Sequence, residues 1–106
     1  MSDEGQTPVY FIAHFEVTDA DTYRNYEKGF FPIFRKYGGE FITLDDSVET
    51  FEGEREAGRT VLFQFPSEEA GRSWYADPEY QELCKFRWEG TQIRSLVMVH
   101  GMAPRG

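Results

Sequence analysis

The stretch Val9-Tyr-Phe-Ile-Ala-His-Phe-Glu-Val17 decides the fold of this 106-residue chain. Its odd positions carry only valine, phenylalanine and alanine, whereas its even positions mix polar, charged and apolar side chains. A two-residue period of this kind predicts a β-strand with one face in the core. Because a single strand cannot bury that face alone, the following elements must supply its sheet neighbours and its cover.

A helix is the next predicted element. Thr18 and the acids after it provide an N-cap with a negative first turn. Apolar side chains, most of them aromatic, then recur every three or four positions, which predicts a helix over about 20–37. Pro32 removes one backbone donor within it, so we expect a kink or a restart near 29–31.

The rest of the chain alternates between strand and helix patterns. Two strand patterns predict a hairpin. The first covers residue 40 to about 51, with an interruption near 45–47, and the second covers residues 59–65. A helix capped by Ser67 follows, and Asp77 with Pro78 after it restarts that helix. Residues 92–100 alternate as a last strand.

The predicted order β-α-β-β-α-β is typical of an α+β, ferredoxin-like fold. We therefore expect one four-stranded antiparallel sheet in the order 4-1-3-2, with both helices on one face. Residues 9–100 form this single domain, residues 1–8 a flexible N-terminal segment, and residues 101–106 a loose C-terminal tail.

Neither face of the predicted sheet is polar throughout. Val61, Phe63 and Val97 are apolar odd positions, whereas Ile12 and Leu62 are apolar even positions. Because the helices cover only one face, the other face must pack against something else. We therefore expect a homodimer that joins two open sheet faces.

The charge of −8, from 11 Lys and Arg against 19 Asp and Glu, argues against binding nucleic acid or an anionic membrane surface. The acids are concentrated in residues 40–56, along the hairpin, where like charge discourages edge-to-edge association. Residues 1–8 show neither the basic nor the apolar pattern of a secretory leader, and the apolar runs are too short to cross a membrane, so we expect neither a leader nor a membrane span. These features favour a protein that meets neither nucleic acid nor membrane.

A single cysteine, Cys84, excludes an internal disulfide and suits a reducing compartment, so we expect a cytoplasmic protein. His14, His100 and Cys84 are too few and too far apart in sequence for a structural zinc site. The chain also lacks the glycine-rich motifs that bind nucleotides. We expect neither a metal nor a cofactor.

Several motifs resemble a bacterial family called domain-of-unknown-function 1330. They are Phe65-Pro66-Ser67, Trp74-Tyr75-Ala-Asp77-Pro78-Glu79-Tyr80-Gln81, Gly38-Gly39 and Glu52-Gly53, and the resemblance covers about residues 9–100. It implies membership of the dimeric α/β barrel superfamily, in which two ferredoxin-like units pack sheet to sheet. That superfamily includes cofactor-independent monooxygenases, lactone isomerases and haem-dependent enzymes, so the resemblance implies no single reaction.

The predicted sheet order makes the first and last strands antiparallel neighbours. The expected cross-strand pairs are Glu16 with Arg94, Ile12 with Met98, Tyr10 with His100, and His14 with Leu96. One face of the central strands then gathers side chains suited to a small polar ligand: Tyr10, His14, Glu16, Gln64, Arg94 and His100. In this hypothesis His14 is the catalytic acid or base and Arg94 stabilises negative charge, while the other four residues bind the substrate.

Each assignment has a structural alternative. Glu16 and Arg94 are also explained as a cross-strand ion pair, and His14 as a histidine of the core or interface. Trp74, which we assign to substrate binding in a pocket between helix and sheet, is explained first as a core aromatic, since aromatics at helical spacing usually pack in the core. The sequence thus favours binding of a small hydrophobic or aromatic metabolite, with a cofactor-independent monooxygenase or isomerase using His14 as the alternative.

Overall fold

A computed structural model describes residues 7–102 of the chain. Its seven elements are β1 (Val9–Val17), α1 (Ala20–Lys36), β2 (Glu40–Asp45), β3 (Arg59–Phe65), α2 (Glu68–Ala76), α3 (Pro78–Gly90) and β4 (Thr91–His100). The predicted flexible segment 1–8 and tail 101–106 lie mostly outside the described residues. None of the described helices is long and apolar enough to cross a membrane.

The four strands form one antiparallel sheet in the order β2-β3-β1-β4, which is the predicted 4-1-3-2 order counted from the other edge. β1 is central and pairs with β3 on one side and β4 on the other. The odd residues of β1, Val9 to Phe15, are buried under the helices, as their alternation predicts. The predicted α+β, ferredoxin-like sheet with its helices on one face is confirmed.

The N-cap of helix α1 lies one residue after the predicted cap, Thr18, and the helix itself starts at Ala20, as predicted. Asp19 is the N-cap, because its carboxylate accepts the backbone N–H of Thr22 at 3.2 Å. The helix then runs through Pro32 without the expected restart. Buried aromatic side chains before and after the proline, at Phe30 and Phe34, hold both halves against the core.

Strand β2 is shorter than predicted and ends at Asp45 instead of near residue 51. The Asp45 carboxylate accepts the backbone N–H of Ser47 at 2.7 Å, so the chain turns at the predicted interruption and does not resume the strand. Residues 46–58 therefore form a loop that returns to β3.

The second helical region is two helices separated at Asp77. The Asp77 carboxylate accepts the backbone N–H of Glu79 at 2.7 Å and also the hydroxyl proton of Tyr37, the C-cap residue of α1. Asp77 is buried, with Pro78 at the first helical position after it. The predicted restart is confirmed, and its cap also joins α1 to α3.

The predicted register between β1 and β4 is wrong by one residue. Phe11 lies opposite Met98 and Ala13 opposite Leu96, so Leu96 and Met98 turn toward the core. Burial of these two side chains outweighs the predicted pairing of polar residues. The register then shifts between His14 and Phe15, a β-bulge that leaves Arg94 without a partner in the β1–β4 pairing.

The sheet face away from the helices, here called the open face, carries a central apolar group. Ile12 lies opposite Leu62 on one side and Val97 on the other, with Val99 next to that row. Val97 is 45% exposed and Val99 is 43% exposed in the single chain. A monomer would leave these aliphatic side chains in water.

Candidate functional site

A cavity of about 150 Å³ lies between the helices and the sheet. Strands β1, β2, β3 and β4 contribute its floor with Ala13, Phe15, Phe41, Leu44, Val61, Phe63 and Leu96. Helices α1, α2 and α3 contribute the remainder with Tyr23, Tyr26, Glu27, Phe30, Phe31, Trp74, Tyr80 and Arg87. Most of these side chains are aromatic or aliphatic, so the cavity is an apolar chamber inside one protomer.

Differences in burial show which side of the cavity meets solvent. Phe31, Phe41 and Leu44 are each partly exposed, as is Glu27 beside them on α1. The lining residues on α2 and α3, in contrast, are all buried. The cavity therefore opens between α1 and β2 and extends inward toward α3.

Two tyrosine hydroxyls meet in the lining. The hydroxyl oxygens of Tyr26 on α1 and Tyr80 on α3 lie 2.7 Å apart. Burial raises the pKa of Tyr26, and burial followed by the neighbouring Tyr26 raises the pKa of Tyr80, so both hydroxyls stay neutral near pH 7. One hydroxyl donates to the other, which leaves one O–H proton with no acceptor among the described residues.

The inner part of the lining also holds two buried N–H groups without partners. Trp74 is 0% exposed, and its Nε1–H meets no acceptor within residues 7–102. Arg87 is 6% exposed, and its Nε–H likewise has no acceptor in that part of the chain. Buried donors normally have partners, so this end of the cavity has unused hydrogen-bonding capacity.

Sequence reasoning did not identify Arg87, although a signal for it exists. The apolar residues at helical spacing in α3, which are Tyr80, Leu83, Cys84 and Trp88, suggest a buried stripe that continues to Trp88. In the structure Trp88 is half exposed, and Arg87 instead follows Tyr80 and Cys84 on the buried face. The spacing of four and then three residues places Arg87 on that face, so an arginine inside an apolar stripe was the available sign.

The predicted face residues Tyr10, His14, Glu16 and Gln64 lie on the open face. His14 follows Ala13 in β1, but Ala13 lines the cavity while His14 Nε2 lies 3.0 Å from the backbone oxygen of Glu56. The sheet therefore separates His14 from the cavity.

The β-bulge leaves Arg94 with no residue opposite it on β1, and its side chain reaches the open face. Its guanidinium lies 2.8 Å from the carboxylate of Glu16 and 2.8 Å from that of Glu56. The predicted contact with Glu16 thus forms, although the two residues are not directly opposite. With two carboxylates on one guanidinium, the charge of Arg94 is already neutralised.

The remaining two predicted site residues lie on the helix side of the sheet. His100 lies opposite Val9 instead of Tyr10, and its Nε2 is 3.2 Å from the Glu68 carboxylate of α2. The structure therefore does not bring His100 together with His14. Trp74 lines the cavity and packs in the aromatic core at the same time. Both explanations of Trp74 describe its actual position.

The site suits binding of a small molecule that is mainly apolar. An apolar cavity of about 150 Å³ is large enough for one benzene ring. The lining residues also include polar groups of the kind that can orient a ligand, namely Trp74 and Arg87, each with one unpartnered N–H, and the Tyr26–Tyr80 hydroxyls. Residues 7–102 contain no cluster of three or more His, Cys, Asp or Glu side chains placed to hold a metal ion.

Solved structures with the same fold include proteins of known and unknown activity. A protein of unknown function from Rhodopseudomonas palustris is 17% identical, with 94% of this chain and 84% of that chain covered and a TM-score of 0.70. A cofactor-independent oxygenase from Streptomyces nogalater is 14% identical, with 94% and 96% covered and a TM-score of 0.59.

A dimeric α/β barrel family protein with a ferredoxin-like fold from Mesorhizobium loti is 12% identical, with 95% of this chain and 100% of that chain covered and a TM-score of 0.56. At such identities these likenesses show a shared fold and no shared activity. None of the curated proteins matches the sequence.

The family model described as Domain of unknown function (DUF1330) matches residues 8–102, nearly the whole chain. This match confirms the resemblance carried by the Trp74 to Gln81 motif, whose Asp77 cap and Pro78 start α3. The chain belongs to the DUF1330 family.

Proposed function

We propose that this protein is a homodimer that binds a small hydrophobic or aromatic metabolite in the cavity between its helices and its sheet. The cavity itself carries the proposal, since it is apolar, reaches solvent beside Phe31 and Phe41, and is large enough for one ring. Buried Trp74 and Arg87 supply donors that a ligand with an oxygen or nitrogen acceptor would satisfy. This function requires no reactive group.

The dimer proposal depends on the open face. Ile12, Leu62, Val97 and Val99 form one continuous apolar group at the centre of that face. Packing two such faces together would remove these side chains from water. The Glu16–Arg94–Glu56 ion pairs lie at the end of the same face, where they would fix the orientation of the two protomers.

A reducing compartment such as the cytoplasm suits the chain, because Cys84 is a free, buried thiol.

Conversion of the ligand without a cofactor, with His14 as acid or base, is our second proposal. The half-buried His14 supports it, and Arg94 reaches the same face of the sheet, since both side chains contact Glu56. The separation of both residues from the cavity is the reason that we place binding first.

Fluorescence of Trp74 tests the binding proposal. The chain has two tryptophans, and Trp88 lies outside the cavity lining, so Trp88→Phe leaves Trp74 as the reporter. Titration of this variant with toluene, phenol, benzamide and benzoate should produce a saturable change in emission for at least one compound. Native mass spectrometry of the purified protein should show any ligand retained from the cell, and its mass would give the compound class.

Two substitutions on β1 locate the binding site. Ala13→Leu extends a side chain into the cavity and should weaken binding tenfold or more, on the order expected when a ring is displaced. Ile12→Leu changes the next residue, on the open face, and should leave binding unchanged. Absence of saturable binding by every compound, together with no retained ligand, would disprove the proposed function.

A further inference from the structure

Arg87 is a buried guanidinium without a carboxylate partner. It is 6% exposed, and within residues 7–102 no Asp or Glu side chain forms a salt bridge with it. Burial of an unpaired charge is costly, and arginine does not lose its proton in proteins. The protein therefore keeps a positive charge at the wall of an apolar cavity.

The contacts that Arg87 does make are weak ones. Its Nη2 lies 3.6 Å from the Cys84 sulfur, and its guanidinium carbon is 5.8 Å from the centre of the Tyr26 ring. Its Nε–H has no acceptor among the described residues. A planar guanidinium matches a carboxylate with two parallel hydrogen bonds, and no group described in the protein occupies that position.

Among the described residues that line the cavity, Glu27 alone carries a carboxylate, and it lies at the exposed side. It forms no salt bridge with Arg87 in the structure, so it does not neutralise the buried charge. An anion that enters the cavity would instead meet the guanidinium directly. In the Tyr26–Tyr80 pair one hydroxyl donates to the other, so the second O–H group is a further donor in the same lining.

Resting on the proposed function, we infer that the ligand of this cavity is a single-ring aromatic acid, whose ring fills the apolar chamber and whose carboxylate pairs with Arg87. The cavity volume of about 150 Å³ matches the size of one ring. The buried guanidinium determines the charge of the ligand, because a neutral ring would leave Arg87 unpaired.

The test compares benzoate with benzamide and toluene, which match its ring but carry no charge. All three are titrated into Trp88→Phe and into the same protein with Arg87→Met, Arg87→Lys or Lys85→Met. Lys85 lies on the same helix, is exposed, and pairs with Glu82, so Lys85→Met is a matched loss of one positive charge. The readouts are Trp74 fluorescence and isothermal titration calorimetry.

We expect benzoate to bind the reference protein roughly 10- to 100-fold more tightly than the neutral rings, the range of a charge-assisted pair. Arg87→Met should abolish that preference and leave toluene binding within about threefold, which also shows that the variant folds. Arg87→Lys should retain part of the preference, and Lys85→Met should retain all of it.

If the neutral rings bind as tightly as benzoate, the inference is wrong and the proposed cavity function stands. The same conclusion follows if Arg87→Met and Lys85→Met weaken benzoate binding equally, since that would reflect net charge. If no ring compound binds and native mass spectrometry detects no ligand, the proposed function itself fails.

Discussion

The hydroxyl oxygens of Tyr26 and Tyr80 lie 2.7 Å apart in the core, although 54 residues separate them in the sequence. This contact joins α1 to α3 across the inner part of the cavity. Because both rings are buried, neither hydroxyl has water as an alternative partner. The pair therefore contributes to stability as well as to the lining of the site.

Removing either hydroxyl should destabilise the protein. Tyr26→Phe and Tyr80→Phe each leave one buried hydroxyl without a partner, and each should lower the free energy of unfolding by about 1–3 kcal/mol. The double variant should lose less than the sum, because it leaves no unpaired hydroxyl. Urea denaturation of the four proteins measures this coupling, and strictly additive effects would show that the bond contributes nothing.

Asp77 should make the protein sensitive to acid. The hydrogen bond from Tyr37 chiefly, with the backbone N–H groups of Glu79 and Tyr80, holds the pKa of Asp77 below its usual value of about 3.9. A lowered pKa stabilises the fold above pH 3.9, and this contribution disappears as the pH falls below that value.

The matched substitution is Asp77→Asn, which keeps an N-cap but cannot ionise. Between pH 7 and pH 3 the wild-type protein should lose more stability than this variant, as measured by urea denaturation at each pH. Asp21→Asn is the control, since the Asp21 side chain is 90% exposed. Equal acid sensitivity of wild type and Asp77→Asn would contradict the assignment.

Charge on the open face should separate the proposed dimer. Leu62→Glu or Val97→Glu places a carboxylate in the central apolar group, where an interface would have to bury it. Light scattering should give about twice 12.4 kDa for the wild-type protein and 12.4 kDa for either variant. Phe51→Glu, at an 89% exposed phenylalanine in the β2–β3 loop, should remain dimeric. A wild-type monomer at micromolar concentration would refute the dimer.

Gly90 is required by a close approach of α3 to the start of α1. A Cβ at this position would lie 2.9 Å from the backbone nitrogen of Tyr23, too near for either segment to stay in place. Gly90→Ala should therefore cost about 1–3 kcal/mol, although alanine is the better helix former. Glu89→Ala, at the exposed neighbouring residue, should be nearly neutral in the same thermal and urea measurements.

Substitution of His14 distinguishes the two faces of the sheet as ligand sites. His14→Gln should leave ring binding in the cavity unchanged, because β1 directs Ala13 and not His14 toward it. Any turnover of a bound ligand should also persist if the cavity is the site. Loss of binding or turnover in this variant, with an unchanged melting temperature, would favour His14 catalysis over our first proposal.

Local signals explain most of what could be predicted about the fold. The alternation in Val9–Val17 needs only a two-residue period, and the Asp77-Pro78 start of α3 needs only a cap and a proline. The predictions of strand register were wrong because segments that are distant in the sequence compete for the same buried positions. The β1–β4 register followed the burial of Leu96 and Met98, and that choice moved His100 to the helix side of the sheet.

The candidate site was less predictable than the fold. Trp74 lines the cavity and its role in ligand binding stays a prediction, whereas Arg87 is not among the residues that the sequence predicts for the site. The sequence favours His14 and Arg94 as catalytic residues because histidine and arginine side chains often take part in catalysis. The positions of these two side chains relative to the cavity depend on strand pairing and on the bulge near residue 94. Neither feature can be read from a single segment of the sequence.

The sequence by itself determined the element order, the caps of α2 and α3, and the motifs of the family, since each depends on residues that are near one another in the chain. Only the tertiary structure decided which face of β4 enters the core, where the cavity lies and which arginine borders it. These features depend on how α1, α3 and the sheet share the same space, because packing selects one register and one set of buried side chains among several that the local pattern permits.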